Sequence, residues 1–296
     1  MNVGRFARAL AAVAVAVFLA DATADDGKET APPPCRAEAV AKTTSLRPGV
    51  ETTIGVRLVL AERWHVYWKN PGESGVATSV EWTLPKGFEA SPMVWPAPHR
   101  VESDGIVGYV YEGEVLFPFT LKVPADAKPG DVVLSARVQW LVCREVCEPG
   151  DVRVELKLPV KDAAPVDDPA RTAQFAAAAA SLPRALPAGA ATIESTAERV
   201  TLTVAAADVP TESVRSVEFF PEEQLVLDDA STATLESTKK TQLRVRLTPA
   251  PRRDGPVARL KGVLVAKTPQ RSFAFYVDAA PAKSQEPGTP GEKSPK

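Results

Sequence analysis

The chain carries one close pair of soft nucleophiles, Cys143 and Cys147, in WLVCREVCEPG at residues 140 to 150, with three residues between them. Two sulfurs at that spacing can close a structural disulfide, hold a soft metal such as Cu(I), or cycle between dithiol and disulfide with another protein. A bond here closes a loop of about five residues, for which the chain-entropy estimate is roughly 2 kcal/mol, less where a hairpin already holds the ends. That is little for a staple, and a small ring can carry strain that eases exchange. Arg144 favours a neighbouring thiolate whereas Glu145 and Glu148 oppose one, so the flanks leave open which sulfur is the more acidic. The metal reading is short of ligands. His65 and His99 are the two imidazoles, Cys35 is the third sulfur, and none stands at a recognised zinc spacing from the pair.

Outside the pair, no constellation of acid, base and nucleophile stands out, and nothing implies an organic cofactor. GESG around Ser74 lacks the residue that a nucleophile elbow needs between the serine and the second glycine, so it reads as a turn. His65 and His99 have no acid partner ordered by the sequence. A histidine among aromatics such as Trp64, Tyr67 and Trp68 reads first as a core or rim residue. Cys35, in a proline-rich context, reads as an unpaired thiol.

The pair must be held by a hairpin. Val138, Trp140 and Val142 alternate on one side of it and Val152, Val154 and Leu156 on the other, so the cysteines fall at the connection of two strands, where another protein can reach them. Upstream, VETTIGVRLVLAERWHVYW places Ile54, Val56, Leu58 and Leu60 on one face. TSVEWTL, GYVYEGEVLFPFTLKV, DVVLSARVQWLVC and DVRVELKLPV continue the strand pattern between turns such as PADAKPG and EPG. This spacing predicts an antiparallel β-sandwich over residues 36–161. DDPARTAQFAAAAASLP predicts one helix, capped by Asp168, entered through Pro169 and stopped by Pro183, in a linker over 162–187. A second, smaller β domain is expected over 188–279, then a disordered tail over 280–296.

Composition sets the compartment. Arg5 and Arg8, the apolar run from Ala9 to Ala20 and Ala22-Thr23-Ala24 form a signal-peptide pattern over 1–24, followed by a polar, proline-rich lead-in over 25–35. The run is too short to span a bilayer, so an exported, soluble, periplasmic protein is expected. A net charge of −2 over 296 residues gives no basic face for nucleic acid. Three cysteines are too few for a disulfide framework, so burial must hold the core.

RWHVYWKNPGESG, VEWTLPKGF, WPAPHR, GYVYEGEVLFPFTL and WLVCREVCEPG, in this order, resemble the periplasmic N-terminal domain of the transmembrane thiol:disulfide interchange reductases of the DsbD and ScsB type. FFPEEQLVLDDA resembles the segment that follows this domain in the copper-sensitivity-suppressor branch. The resemblance covers about residues 45–160 and implies an immunoglobulin-like sandwich whose cysteines take electrons from a membrane thiol electron transporter and pass them to thioredoxin-like periplasmic proteins. Carried over, it makes Cys147 the sulfur of the mixed disulfide and Cys143 the resolving one, with a cap loop at about Glu102 to Tyr111. Here three residues separate the cysteines where the best-known members have five, and the cap segment VESDGIVGYVY has no aromatic tip. The family's membrane-spanning and thioredoxin-like domains are not present in the chain, so another polypeptide is expected to reduce the pair. The reading from a different class is a binding module with a structural disulfide or a Cu(I) site.

Overall fold

The computed structural model describes residues 32–207, 209–239 and 241–282. The leader assigned to 1–24, most of the lead-in and the tail from 283 onward lie outside them. The first half contains β1 (Cys35–Ala41), β2 (Thr52–Leu60), β3 (His65–Gly72), β4 (Ser79–Thr83), β5 (Glu89–Ala90), β6 (His99–Ser103), β7 (Ile106–Glu112), β8 (Glu114–Lys122), β9 (Gly130–Cys143) and β10 (Cys147–Val160). One sheet runs β1-β2-β8-β5. The other runs β10-β9-β3-β7-β6, with β4 paired to β9 beyond the end of β3. All of these pairings are antiparallel, which gives the expected immunoglobulin-like sandwich.

Alternation explains the core. Ile54, Val56 and Leu58 of β2 face inward opposite Phe119, Phe117 and Val115 of β8, and all six are buried. Trp68 and Leu134 fill the interior from the second sheet. Each such side chain contributes about 1.5–3 kcal/mol on burial. GYVYEGEVLFPFTLKV, which reads as one apolar run, is two strands in different sheets. Gly113, at φ 66°, turns the chain from β7 into β8, a left-handed conformation that glycine adopts without steric cost.

The helix α1 (Pro169–Ser181) begins as its sequence predicts, with Ala170 N donating to Asp168 Oδ1 at 2.9 Å. It is more than a spacer. Phe175 and Ala178 pack on Val40 and Leu116 of the first sandwich, and Arg171 pairs with Glu38. The alanine run has no polar side to mark the buried face, so this docking was hidden.

The second half contains β11 (Arg184–Ala185), β12 (Ala191–Ser195), β13 (Val200–Ala205), β14 (Ser216–Pro221), β15 (Thr234–Lys239), β16 (Gln242–Leu247), β17 (Leu260–Lys267) and β18 (Ser272–Pro281). They pair in the order β14-β17-β18-β12-β13-β16-β15, with β11 along β18. Ile193, Leu202, Leu243, Leu260 and Val277 lie in its core. β18 continues to Pro281, two residues into the stretch read as tail, because Ala280 and Pro281 lie parallel to Thr192 and Ile193.

The two halves share packing. Phe220 of β14 lies in the first core, with ring centroids 5.2 Å from Tyr109 and 6.4 Å from Trp68. Buried Asn70 donates through Nδ2 to Pro221 O at 2.8 Å, Lys69 pairs with Glu222, and Gln224 Nε2 donates to Gly72 O at 3.3 Å. FFPEEQLVLDDA is therefore the segment through which the second half grips the first.

Candidate redox site

β9 and β10 form one unbroken ladder from Gly130↔Val160 to Cys143↔Cys147. The two cysteines are its last pair, joined by a disulfide with Cα atoms 4.1 Å apart. The reversal is closed by Arg144 N donating to Val146 O at 3.0 Å, and the Arg144 guanidinium lies 5.3 Å from the Trp64 ring centroid. Beneath it, Gly150 lets Trp140 lie flat against β10. A Cβ at that position would come within 2.2 Å of Trp140 Cε2.

The two sulfurs have unlike surroundings. Cys143 is 3% exposed and packs with Tyr67 and Val110, with Val101 and Leu141 at the margin of the cluster. Cys147 is exposed, as are the intervening Arg144, Glu145 and Val146. Cys147 is thus the residue of the pair on the solvent side, and Cys143 the one within the protein.

Register extends the site across the sheet. Directly paired residues of an antiparallel sheet share a face, with Cβ atoms about 4.5–5.5 Å apart. Cys147 pairs with Cys143, Cys143 with His65, and His65 with Glu112, so these four form one row across β10, β9, β3 and β7. The Tyr67 hydroxyl lies 3.3 Å from His65 Nε2, and His99 Nε2 donates to Glu112 Oε2 at 2.8 Å. Burial, aided by His99 and opposed by Glu112, pushes the His65 pKa below its ordinary value. The sequence showed no acid partner for either histidine, because Glu112 reaches them only through strand pairing. The H-x-Y spacing of His65 and Tyr67 on one strand was the readable hint that both share a face.

The segment corresponding to the cap is a hairpin of β6 and β7, turned by Asp104 at φ 54° and Gly105 at φ 79°. Val101 and Val110 on one face of it lie against the Cys143 cluster. Its other face meets the second half of the chain. The Tyr109 hydroxyl donates to Asp229 Oδ1 at 2.6 Å, and Arg100 Nη2 donates to Asp229 O and Ala230 O, each at 3.4 Å.

Cys35 is not in a flexible lead-in. It is the first residue of β1, pairs with Leu60 and is 5% exposed, and burial pushes its thiol pKa up to about 12. The three preceding prolines hid a strand start. Among the described residues, no group of three or more His, Cys, Asp and Glu is placed to hold a metal. No described helix is long and apolar enough to cross a membrane.

The family described as "Thiol:disulfide interchange protein DsbD, N-terminal" matches residues 33–159, the whole sandwich with its cysteine hairpin. Over this segment the chain is similar to the DsbD N-terminal family. The DsbD-type domain is a thiol:disulfide interchange module, here with its cysteines oxidised to a disulfide. Among solved structures, the N-terminal periplasmic domain of ScsB from Proteus mirabilis aligns with a TM-score of 0.57 and 20% identity, covering 85% of this chain and 95% of that one. It therefore shares the fold of both halves. A cohesin–dockerin complex from Clostridium thermocellum aligns over 42% of this chain and 99% of that one, at 16% identity and a TM-score of 0.24. No curated protein matches the chain.

Proposed function

We propose that the protein is an exported periplasmic thiol–disulfide carrier that takes electrons from a membrane thiol electron transporter and passes them to thioredoxin-like periplasmic proteins. Cys147 is the exchanging sulfur. Its thiolate attacks a partner's disulfide, forms the mixed disulfide and expels one partner thiolate. Cys143 then attacks Cys147, the intramolecular disulfide closes, and the second partner sulfur leaves reduced. Two electrons pass from the pair to the partner, with no cofactor needed.

The observation that carries this reading is the asymmetry of the pair, an exposed Cys147 backed by a Cys143 that is 3% exposed. A partner meets only the outer sulfur, and the inner one is kept for the closing attack. The β6–β7 hairpin acts as the cap, covering Cys143 through Val101 and Val110 in place of an aromatic tip. The test is Cys143→Ala. Incubated with an oxidised thioredoxin-like protein, the reduced variant accumulates a covalent complex through Cys147. If no mixed disulfide forms in any redox buffer, the carrier reading fails.

A further inference from the structure

A buried thiol is a poor nucleophile until it loses its proton, yet in the cycle above Cys143 must attack from within the protein while Cys147 is held by a partner. The residue directly across the ladder from Cys143 is His65. The chain has two histidines, and both lie in this patch, His65 paired across the ladder with Cys143 and His99 hydrogen-bonded to Glu112, which pairs with His65. Tyr67 contacts His65 through its hydroxyl at 3.3 Å and packs on Cys143, so it bridges ring and sulfur.

We propose that His65 is the general base that takes the Cys143 proton in the closing step of exchange. The inference rests on the exchange reading and adds the residue that makes the inner sulfur reactive. The proton passes from Cys143 Sγ to the imidazole. The resulting thiolate attacks Cys147 Sγ, the Cys143–Cys147 bond forms and the bond from Cys147 to the partner sulfur breaks. That electron pair leaves on the partner sulfur, which takes the proton back from the imidazolium or from water. The ionisable groups facing His65 are Tyr67 on its own strand, Cys143 on β9, Cys147 beyond it on β10, Glu112 on β7 and His99 on β6. Burial lowers the His65 pKa, so the ring is unprotonated at pH 7 and has room to take a proton. The His65 ring shares a hydrogen bond with the Tyr67 hydroxyl at Nε2, and a neutral imidazole keeps one lone pair for a proton.

The test is stopped-flow reaction of the reduced full chain with 5,5′-dithiobis-(2-nitrobenzoate), which resolves the cycle into two releases of thionitrobenzoate. The first reports attack by Cys147 and the second reports closure by Cys143. In His65→Gln the first phase is unchanged and the second slows on the order of a hundredfold at pH 7, the usual contribution of a positioned base. The difference vanishes at high pH, where the thiol ionises unaided. In the unaltered protein the second-phase rate rises with pH through an inflection below 6.5, the ordinary imidazole value, and then levels. Equal second phases in both proteins across the pH range, or no such inflection, overturn the role of His65 and leave exchange standing. A single release in the unaltered protein means the pair does not close, and overturns the exchange reading and this one together.

Discussion

The Tyr109 hydroxyl donates to Asp229 Oδ1 at 2.6 Å, and this bond ties the hairpin that covers Cys143 to the second half of the chain. The hairpin is thus held from both faces, by Val101 and Val110 against the cysteine cluster and by Tyr109 and Arg100 against the FFPEEQLVLDDA segment. Tyr109→Phe leaves a half-buried carboxylate without its donor, a loss of about 1.5–3 kcal/mol for a bond to a charged group. The expected outcome is faster amide exchange over residues 99–112 and faster reduction of the disulfide by dithiothreitol. Unchanged exchange in the hairpin would show that it is held without the second half.

Asp229 itself gives a prediction with a sign. Burial raises its pKa above the usual value, against the pull of the Tyr109 hydrogen bond. A raised carboxyl contributes stability below its unfolded pKa, and that stability is lost as pH rises through the folded pKa. Asp229→Asn keeps an oxygen for Tyr109 and removes the buried charge, so it should raise the melting temperature at pH 7. The gain should shrink as pH falls below about 4, where the aspartate is protonated in both states. Thermal scans at the two pH values check this.

Glu222 behaves in the opposite way. Burial raises its pKa, but the hydrogen bonds from Lys69 and Tyr276 outweigh it and hold the carboxyl below its ordinary value. Its contribution is present above the unfolded pKa of about 4.3 and is lost as pH falls through the lower folded pKa. Acid should therefore release the Lys69–Glu222 contact between the halves. Glu222→Gln should flatten that part of the stability–pH curve, measured by urea unfolding.

What the sequence revealed and what it hid divides by range along the chain. The hairpin was readable because Val138, Trp140 and Val142 alternate on one strand and Val152, Val154 and Leu156 on the next, and because EPG follows the second cysteine. Asp168 and Pro169 marked a helix start by purely local rules. The row from Cys147 to Glu112 was hidden because it depends on register among four strands, and nothing local to Glu112 announces that it meets two histidines. Phe220 looked like an ordinary strand residue of the second half, yet it lies in the core of the first. Cys35 was misplaced because three prolines resemble a linker, whereas its pairing with Leu60, 25 positions away, makes it a strand residue.

Phe220 provides the next test. It packs on Trp68 and Tyr109, and its removal leaves a hole in the shared packing. Phe220→Ala should cost about 3–5 kcal/mol. Because it also uncouples the halves, calorimetry should resolve two transitions where the unaltered protein gives one.

Cys35 should separate from the redox pair by reactivity. Its thiol pKa, raised by burial to about 12, keeps it un-ionised at neutral pH. The reduced native protein should release two equivalents of thionitrobenzoate, and the third should appear only after denaturation. Fast native labelling at Cys35 would show that the first strand opens.

The most direct measurement of the central claim is the reduction potential of the Cys143–Cys147 disulfide, obtained by equilibration with glutathione and quantified by thiol alkylation. A pair that relays electrons must lie within reach of exchange partners, so a value near −200 mV is predicted. A value below about −300 mV, where structural disulfides resist reduction, would contradict the account and return the pair to a staple.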